Sequence, residues 1–126
     1  MKMLLAVAIG GAVGAVARYK TVGWVAQVAG HGFPWGTLAV NVVGSFLMGV
    51  LIEVGARRQV LTPELRALLA VGGLGAFTTF SSFALDVATL WERGETGPVA
   101  AYIAASTALS ILALFFGLWV VRQVLA

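Results

Sequence analysis

The residues of this 126-residue chain best suited to chemistry lie between Gly72 and Phe83, in the sequence Gly-Gly-Leu-Gly-Ala-Phe-Thr-Thr-Phe-Ser-Ser-Phe. The stretch mixes glycine and hydroxyl side chains into an otherwise apolar segment, which disfavours a regular helix interior. Counted from Pro63, the part from Gly72 to Phe80 lies roughly 14 to 26 Å into a hydrocarbon layer of about 30 Å. Irregular backbone at that depth survives only against protein or a water-filled cavity. We therefore predict a helix broken near the membrane midplane, at an ion or substrate site.

Two other apolar segments carry polar side chains at four-residue spacing, which places them on one face of a helix. They are Thr37, Asn41 and Ser45 in one segment and Tyr102, Ser106 and Ser110 in the other. Such a face either lines a polar pore or bonds neighbouring helices together, and spacing alone leaves both interpretations open. It also leaves open whether Ser106 or the adjacent Thr107 faces a pore.

Aromatic and charged residues add to this pattern. Phe77, Phe80 and Phe83 recur every three residues, a spacing more typical of core packing. The hydroxyl residues between them favour an anion path, because the edge of an aromatic ring is positive. Arg18 lies about 15 residues into an apolar segment, where it either reaches the segment end or attracts anions to a vestibule. Asp86 is interpreted as an acid at the pore mouth or as the partner of a basic residue.

The elements that position these residues are apolar enough to be membrane spans. The chain is 60% hydrophobic with a mean hydropathy of +0.99, values outside the range of a soluble domain. It has no cysteine and one histidine, which argues against an enzyme and against a thiolate metal site. We predict an all-α, multi-pass integral membrane protein with a single domain, 1–126. Its four helices are expected at 3–28, 36–54, 63–91 and 98–125.

Charged residues and small residues indicate how such helices are oriented and packed. Gly10 and Gly14 form a face that another helix can approach closely. Most basic residues lie near segment ends, so the net charge of +3 indicates topology rather than nucleic-acid binding. Because their bias between the two sides is modest, insertion in both orientations is expected to be possible. Thr62 before Pro63 predicts a capped helix start.

Four motifs together resemble the Fluc-type fluoride channels, also called the CrcB family. Segment one has Gly-Gly-x-x-Gly-Ala-x-x-Arg-Tyr, and segment two has Gly-Thr-Leu-x-x-Asn-x-x-Gly-Ser. Segment three has Gly-x-x-Thr-Thr-Phe-Ser-Ser-Phe, and segment four has Tyr-x-x-x-Ser-x-x-x-Ser. The order and the third motif make the resemblance specific. Ser82 stands where the family often has threonine and Asp86 where it often has glutamate.

The resemblance implies a passive, fluoride-selective channel in the bacterial plasma membrane, built as an antiparallel, dual-topology homodimer with two pores. It implies a pore lined by Asn41, Phe80 and Phe83, with further donors from Thr37, Ser81, Tyr102, Ser106 and Ser110. It places Arg18 in the vestibule. Asp86 is a candidate for an acid at the mouth or for a gate, and its role is left open. The resemblance also implies a structural Na⁺ on the two-fold axis, held by the backbone carbonyls of Gly75 and Thr78.

Two other functions fit a four-span protein. A small, proton-coupled multidrug exporter would need a carboxylate within the first span, and this first segment has none. A non-transporting membrane scaffold would use the glycine faces and polar stripes only for assembly. Substitution of Phe80 or Phe83 would then disturb dimerisation rather than ion flux.

Overall fold

The computed structural model describes residues 1–126, and every regular element in it is helical. Four helices are long and apolar enough to cross a membrane, as the hydropathy pattern predicts: Lys2–Ala29, Trp35–Arg58, Pro63–Glu92 and Thr96–Val124. We call the first two α1 and α2, and the last α6. The connections between them are short, so consecutive spans run in opposite directions.

The third span is divided into four pieces. They are α3 (Pro63–Arg66), a π-helical segment (Ala67–Leu74), α4 (Gly75–Phe77) and α5 (Phe80–Glu92). Thr78 and Thr79, between α4 and α5, have extended backbone dihedral angles, so the span bends there. The bend lies within the stretch from Gly72 to Phe83, where the sequence predicts a break. The glycines of that stretch lie in helical backbone, and the two threonines behind them supply the extended residues.

Two helix ends carry residues that stabilise helix termini. The Thr62 hydroxyl accepts a hydrogen bond from the Leu65 amide at 3.1 Å, which confirms the predicted cap. Helix α2 continues four residues beyond the expected Val54. Its last turn carries Arg57 and Arg58 as cations beside the negative end of the helix dipole.

Large apolar side chains cover much of the outer surface. Only 18 of the 126 residues are buried within the chain, too few for a water-soluble core of this length. Leu4 is 70% exposed and Phe115 is 62% exposed. In a bilayer such side chains contact lipid, so their exposure fits four membrane spans.

Glycines set the closest helix contacts. Helix α1 packs on the π-helical segment, where a Cβ atom on Gly14 would lie 2.1 Å from the Gly73 carbonyl oxygen. A Cβ atom on Gly10 would overlap the Leu68 carbonyl oxygen in the same way. This confirms the predicted small-residue face on α1. Helix α2 packs equally closely along α6 at Gly49, where an added Cβ atom would overlap the α6 backbone.

An ion pair holds the last turns of α2 and α6 at the same end of the molecule. The Arg122 guanidinium donates to both carboxylate oxygens of Glu53, at 3.1 and 3.2 Å. Arg57 donates to the same carboxylate at 2.8 Å. Glu53 thus joins two basic side chains, one from each helix.

Candidate functional site

The bend in the third span is held by one side chain from α2. The Thr79 amide donates to the Asn41 side-chain oxygen at 2.7 Å, and the Asn41 amide nitrogen donates to the Thr79 carbonyl at 3.0 Å. Because Thr79 is extended, these two groups have no partner within a helix. The Asn41 amide supplies both missing partners. It retains one N–H that can still donate to a ligand.

Thr79 also starts helix α5. Its hydroxyl accepts from the Ser82 amide at 3.1 Å, the usual arrangement for an N-cap residue, and lies 3.3 Å from the Ser81 hydroxyl. Sequence reasoning did not include Thr79 among the site residues. A threonine directly before a helical phenylalanine-serine repeat is an N-cap signal that could have identified it.

A cleft of about 310 Å³ opens beside this bend and joins α2, α5 and α6. Its polar lining comes from Asn41, Ser45, Thr78, Thr79, Ser106, Thr107 and Ser110. The structure therefore brings together side chains from both predicted polar stripes and from the third-span motif.

Two serine hydroxyls in this cleft have no hydrogen-bond partner within the chain. They are those of Ser106, which is 6% exposed, and Ser110. The neighbouring Thr107 is exposed, so Ser106 is the more enclosed of the two hydroxyls that sequence could not separate. A buried hydroxyl without a partner is costly unless water or a ligand binds it. The cleft therefore offers hydrogen-bond donors to a small polar ligand.

Aromatic rings border the cleft on the α5 side. The Phe80 and Phe83 ring centroids are 5.4 Å apart, and those of Phe83 and Tyr102 are 5.1 Å apart. Tyr102 is fully buried and its hydroxyl donates to the Asp86 carboxylate at 2.9 Å. Asp86 is thus partnered by a tyrosine and not by a basic residue. Phe80, by contrast, is 80% exposed.

A second, larger cleft of about 650 Å³ contains Arg18. It shares Thr79 with the first cleft, and Thr37 lines it as well. Arg18 makes no ion pair in the chain, so its charge is available to this cleft. Ser81 lies outside both clefts and is exposed in the single chain.

The bend also frees backbone carbonyls. In a continuous helix the Thr79 and Ser82 amides would donate to the carbonyls of Gly75 and Thr78. They donate instead to the Asn41 oxygen and the Thr79 hydroxyl. The chain contains no group of three or more histidine, cysteine or carboxylate side chains that could hold a metal. The carbonyl oxygens of Gly75 and Thr78 are thus left without these two helical donors.

Comparison with known proteins gives a consistent result. Residues 5–118 match the family model described as CrcB-like protein, Camphor Resistance (CrcB). A protein of Chelativorans sp. (strain BNC1), named fluoride-specific ion channel FluC, is 56% identical over 125 residues, which cover 99% of this chain and 100% of the relative. A protein of Rhodospirillum centenum with the same name is 57% identical over 126 residues, covering 100% of each. One of Agrobacterium fabrum, also so named, is 56% identical over 112 residues, 89% of this chain and 90% of the relative.

Proposed function

The chain belongs to the CrcB-like family, and on that premise we propose that it is a fluoride-selective, passive ion channel through which cytoplasmic fluoride leaves the cell. It is a multi-pass integral protein of the bacterial plasma membrane and a transporter rather than an enzyme. The observation that carries the proposal is the pair of buried, unpartnered hydroxyls of Ser106 and Ser110 in a cleft beside Asn41.

Fluoride is small and strongly hydrated, so its path must replace water with closely placed donors. The proposed donors are the free N–H of Asn41 and the hydroxyls of Thr37, Ser81, Tyr102, Ser106 and Ser110. The rings of Phe80 and Phe83 border the path and turn positive edges toward the ion. Neutral donors bind an anion less tightly than a fixed ammonium does, so the ion can also leave. Conduction requires that the ion can both enter the path and leave it.

Charged residues flank this path. Arg18 is the proposed vestibule cation, because its guanidinium lines a cleft that meets the first cleft at Thr79. It raises the local fluoride concentration without contacting the ion in the narrow section. Asp86 is the proposed acid at the mouth. Its carboxylate holds the Tyr102 hydroxyl, which must exchange that acceptor for fluoride when an ion passes.

We further propose that two copies assemble as an antiparallel homodimer with one pore on each side. Phe80, Ser81 and Gly75 are exposed on the single chain, although they lie beside the bend. Polar backbone facing hydrocarbon at mid-depth would be costly, and a second chain running the other way would cover it. The modest bias of basic residues is compatible with insertion in both orientations. The bend then corresponds to a break near the membrane midplane.

A Na⁺ on the two-fold axis fits the residues present. The carbonyls of Gly75 and Thr78 have lost their helical donors, and those of two chains would together surround a cation. Bound, the ion would compensate converging carbonyl dipoles and fix the two chains to each other. In this chain Asn41 and Thr79 do the positioning, because their hydrogen bonds divert the amides away from these carbonyls.

A passive pore needs no energy coupling, and the chain has neither a phosphate-binding loop motif nor an acidic residue in α1. The test uses purified protein in liposomes loaded with potassium fluoride. Fluoride should leave only after valinomycin lets potassium follow, and at the same rate with or without a proton gradient. Efflux that required a proton gradient would favour the coupled exporter, and no efflux would favour the scaffold.

A further inference from the structure

An apolar groove of about 420 Å³ lies apart from both polar clefts, between α1, α2 and the third span. Val13 and Ala17 on α1, Leu47 and Leu51 on α2, and Leu69 and Phe77 on the third span line it. No polar side chain contributes to its wall. Val13 is 65% exposed and Leu47 43%, so the groove opens toward the outside of the chain.

Two unpaired arginines lie beyond one end of this groove. Arg58 ends α2, about two helical turns past Leu51, and Arg66 precedes Leu69 by about one turn. Both arginines are exposed and neither contacts a carboxylate. Arg57 differs, because it is bound to Glu53. The groove end therefore presents two uncompensated positive charges.

The length of the groove matches one leaflet of a bilayer. Phe77 lies at most about 16 Å beyond Arg66 along the helix, since the π-helical segment between them rises less per residue than an α-helix, and half of the hydrocarbon layer is about 15 Å. A lipid whose headgroup lay at the arginines would thus have its acyl chain end near Phe77. The two arginines would lie beside the headgroup of such a lipid, and the apolar wall would lie beside its acyl chain.

We propose that this groove binds one acyl chain of an anionic phospholipid whose phosphate is held by Arg58 and Arg66. Charge complementarity selects the headgroup, since anionic lipid attracts basic residues at the membrane surface. The absence of any polar group in the wall suits an acyl chain. Gly14 and Gly73 also line the groove, and their close contact lets α1 pack directly on the third span beside it.

The headgroup is tested by native mass spectrometry of the full chain, released from mixed micelles of phosphatidylglycerol and phosphatidylcholine with identical acyl chains. The wild type should retain phosphatidylglycerol in preference. Arg58→Gln and Arg66→Gln should each lower that preference by about fivefold, which corresponds to roughly 1 kcal/mol per basic residue. Arg93→Gln, exposed at the opposite end of the bundle, is the matched control and should change nothing. Equal retention of both lipids by the wild type would overturn the proposal.

The acyl chain is tested by filling the groove. Ala17→Phe should reduce retention of both lipids, whereas Val16→Phe, on the neighbouring exposed position outside the groove, should not. If Ala17→Phe left lipid retention unchanged but reduced the fraction of dimer, a second copy of this chain would be the occupant. That result would also overturn the proposal.

Discussion

Asn41 on α2 holds Thr79 of the third span by two hydrogen bonds, one from each end of its amide group. The pair replaces the helical partners that the extended Thr79 backbone lacks. A residue that the family resemblance assigns to the ion path is therefore also the residue that fixes the bend. Its substitution should affect both stability and flux.

Asn41→Asp should separate these effects when compared with Asn41→Ala. Aspartate can accept from the Thr79 amide but cannot donate to the Thr79 carbonyl, so about 1 to 3 kcal/mol of unfolding free energy should be lost. Alanine removes both hydrogen bonds without adding charge. Fluoride efflux per folded protein should fall further in the aspartate variant, because a negative charge repels the anion. Undiminished efflux through Asn41→Asp would place Asn41 outside the path.

Ser106→Ala and Ser110→Ala should lower fluoride efflux without lowering thermal stability. Each hydroxyl is buried without a partner in the chain, so its removal leaves no protein group unsatisfied. Loss of one hydrogen bond to an ion should slow efflux by about tenfold. Thr21→Val, on α1 and outside both polar clefts, removes a hydroxyl away from the path and is the control that should keep wild-type efflux. A destabilised Ser106→Ala with normal efflux would indicate a packing role instead.

Phe80→Ile and Phe83→Ile should leave a folded dimer and reduce efflux by about tenfold, through loss of the positive ring edges. Phe116→Ile provides the comparison, because Phe116 is also exposed but lies outside the polar cleft. Size-exclusion chromatography reports assembly and a fluoride electrode reports efflux. Loss of the dimer with unchanged efflux per dimer would support the scaffold interpretation of these rings.

Gly14→Ala should destabilise the chain by about 1 to 3 kcal/mol, since the new methyl group would overlap the Gly73 carbonyl. Gly11→Ala is a close control, because nothing lies within 4 Å of the corresponding position. Thermal unfolding in detergent compares the two. Equal unfolding temperatures would show that α1 and the π-helical segment do not pack as described.

Omission of sodium should lower the unfolding temperature of the wild type if the Gly75 and Thr78 carbonyls hold Na⁺ between two chains. A ligand that binds only the folded state stabilises it by RT ln(1 + [L]/Kd), so the stabilisation grows with the ligand concentration. Replacement of sodium by a bulky organic cation at constant ionic strength isolates this effect. An unfolding temperature that does not depend on sodium would show that these carbonyls do not hold Na⁺.

Sequence alone predicted the number of spans and their approximate ends, because a bilayer imposes one length and one polarity on every helix. The Gly10 and Gly14 contact also followed from spacing. Within the stretch from Gly72 to Phe83 the exact residues of the bend did not follow, because glycine permits unwinding without requiring it. What decides the position is the Asn41 amide, which lies on another helix 38 residues away and binds Thr79.

Side-chain surroundings were equally hard to predict from spacing. Nothing local indicates that Asp86 accepts from Tyr102, since the two residues are 16 positions apart and on different helices. Similarly, Ser106 and Thr107 are equivalent in sequence, and only the rotation of α6 makes one buried and the other exposed. Ser81 has the same polarity as its neighbours, yet it is exposed on the single chain.

The proposed path accepts fluoride and excludes other anions. Purified wild-type protein should therefore be placed in liposomes loaded with equal concentrations of fluoride and chloride, and the efflux of each ion measured after addition of valinomycin. We predict rapid release of fluoride, with chloride release no faster than from protein-free liposomes. Chloride release at a rate comparable to that of fluoride would show that the path does not select fluoride.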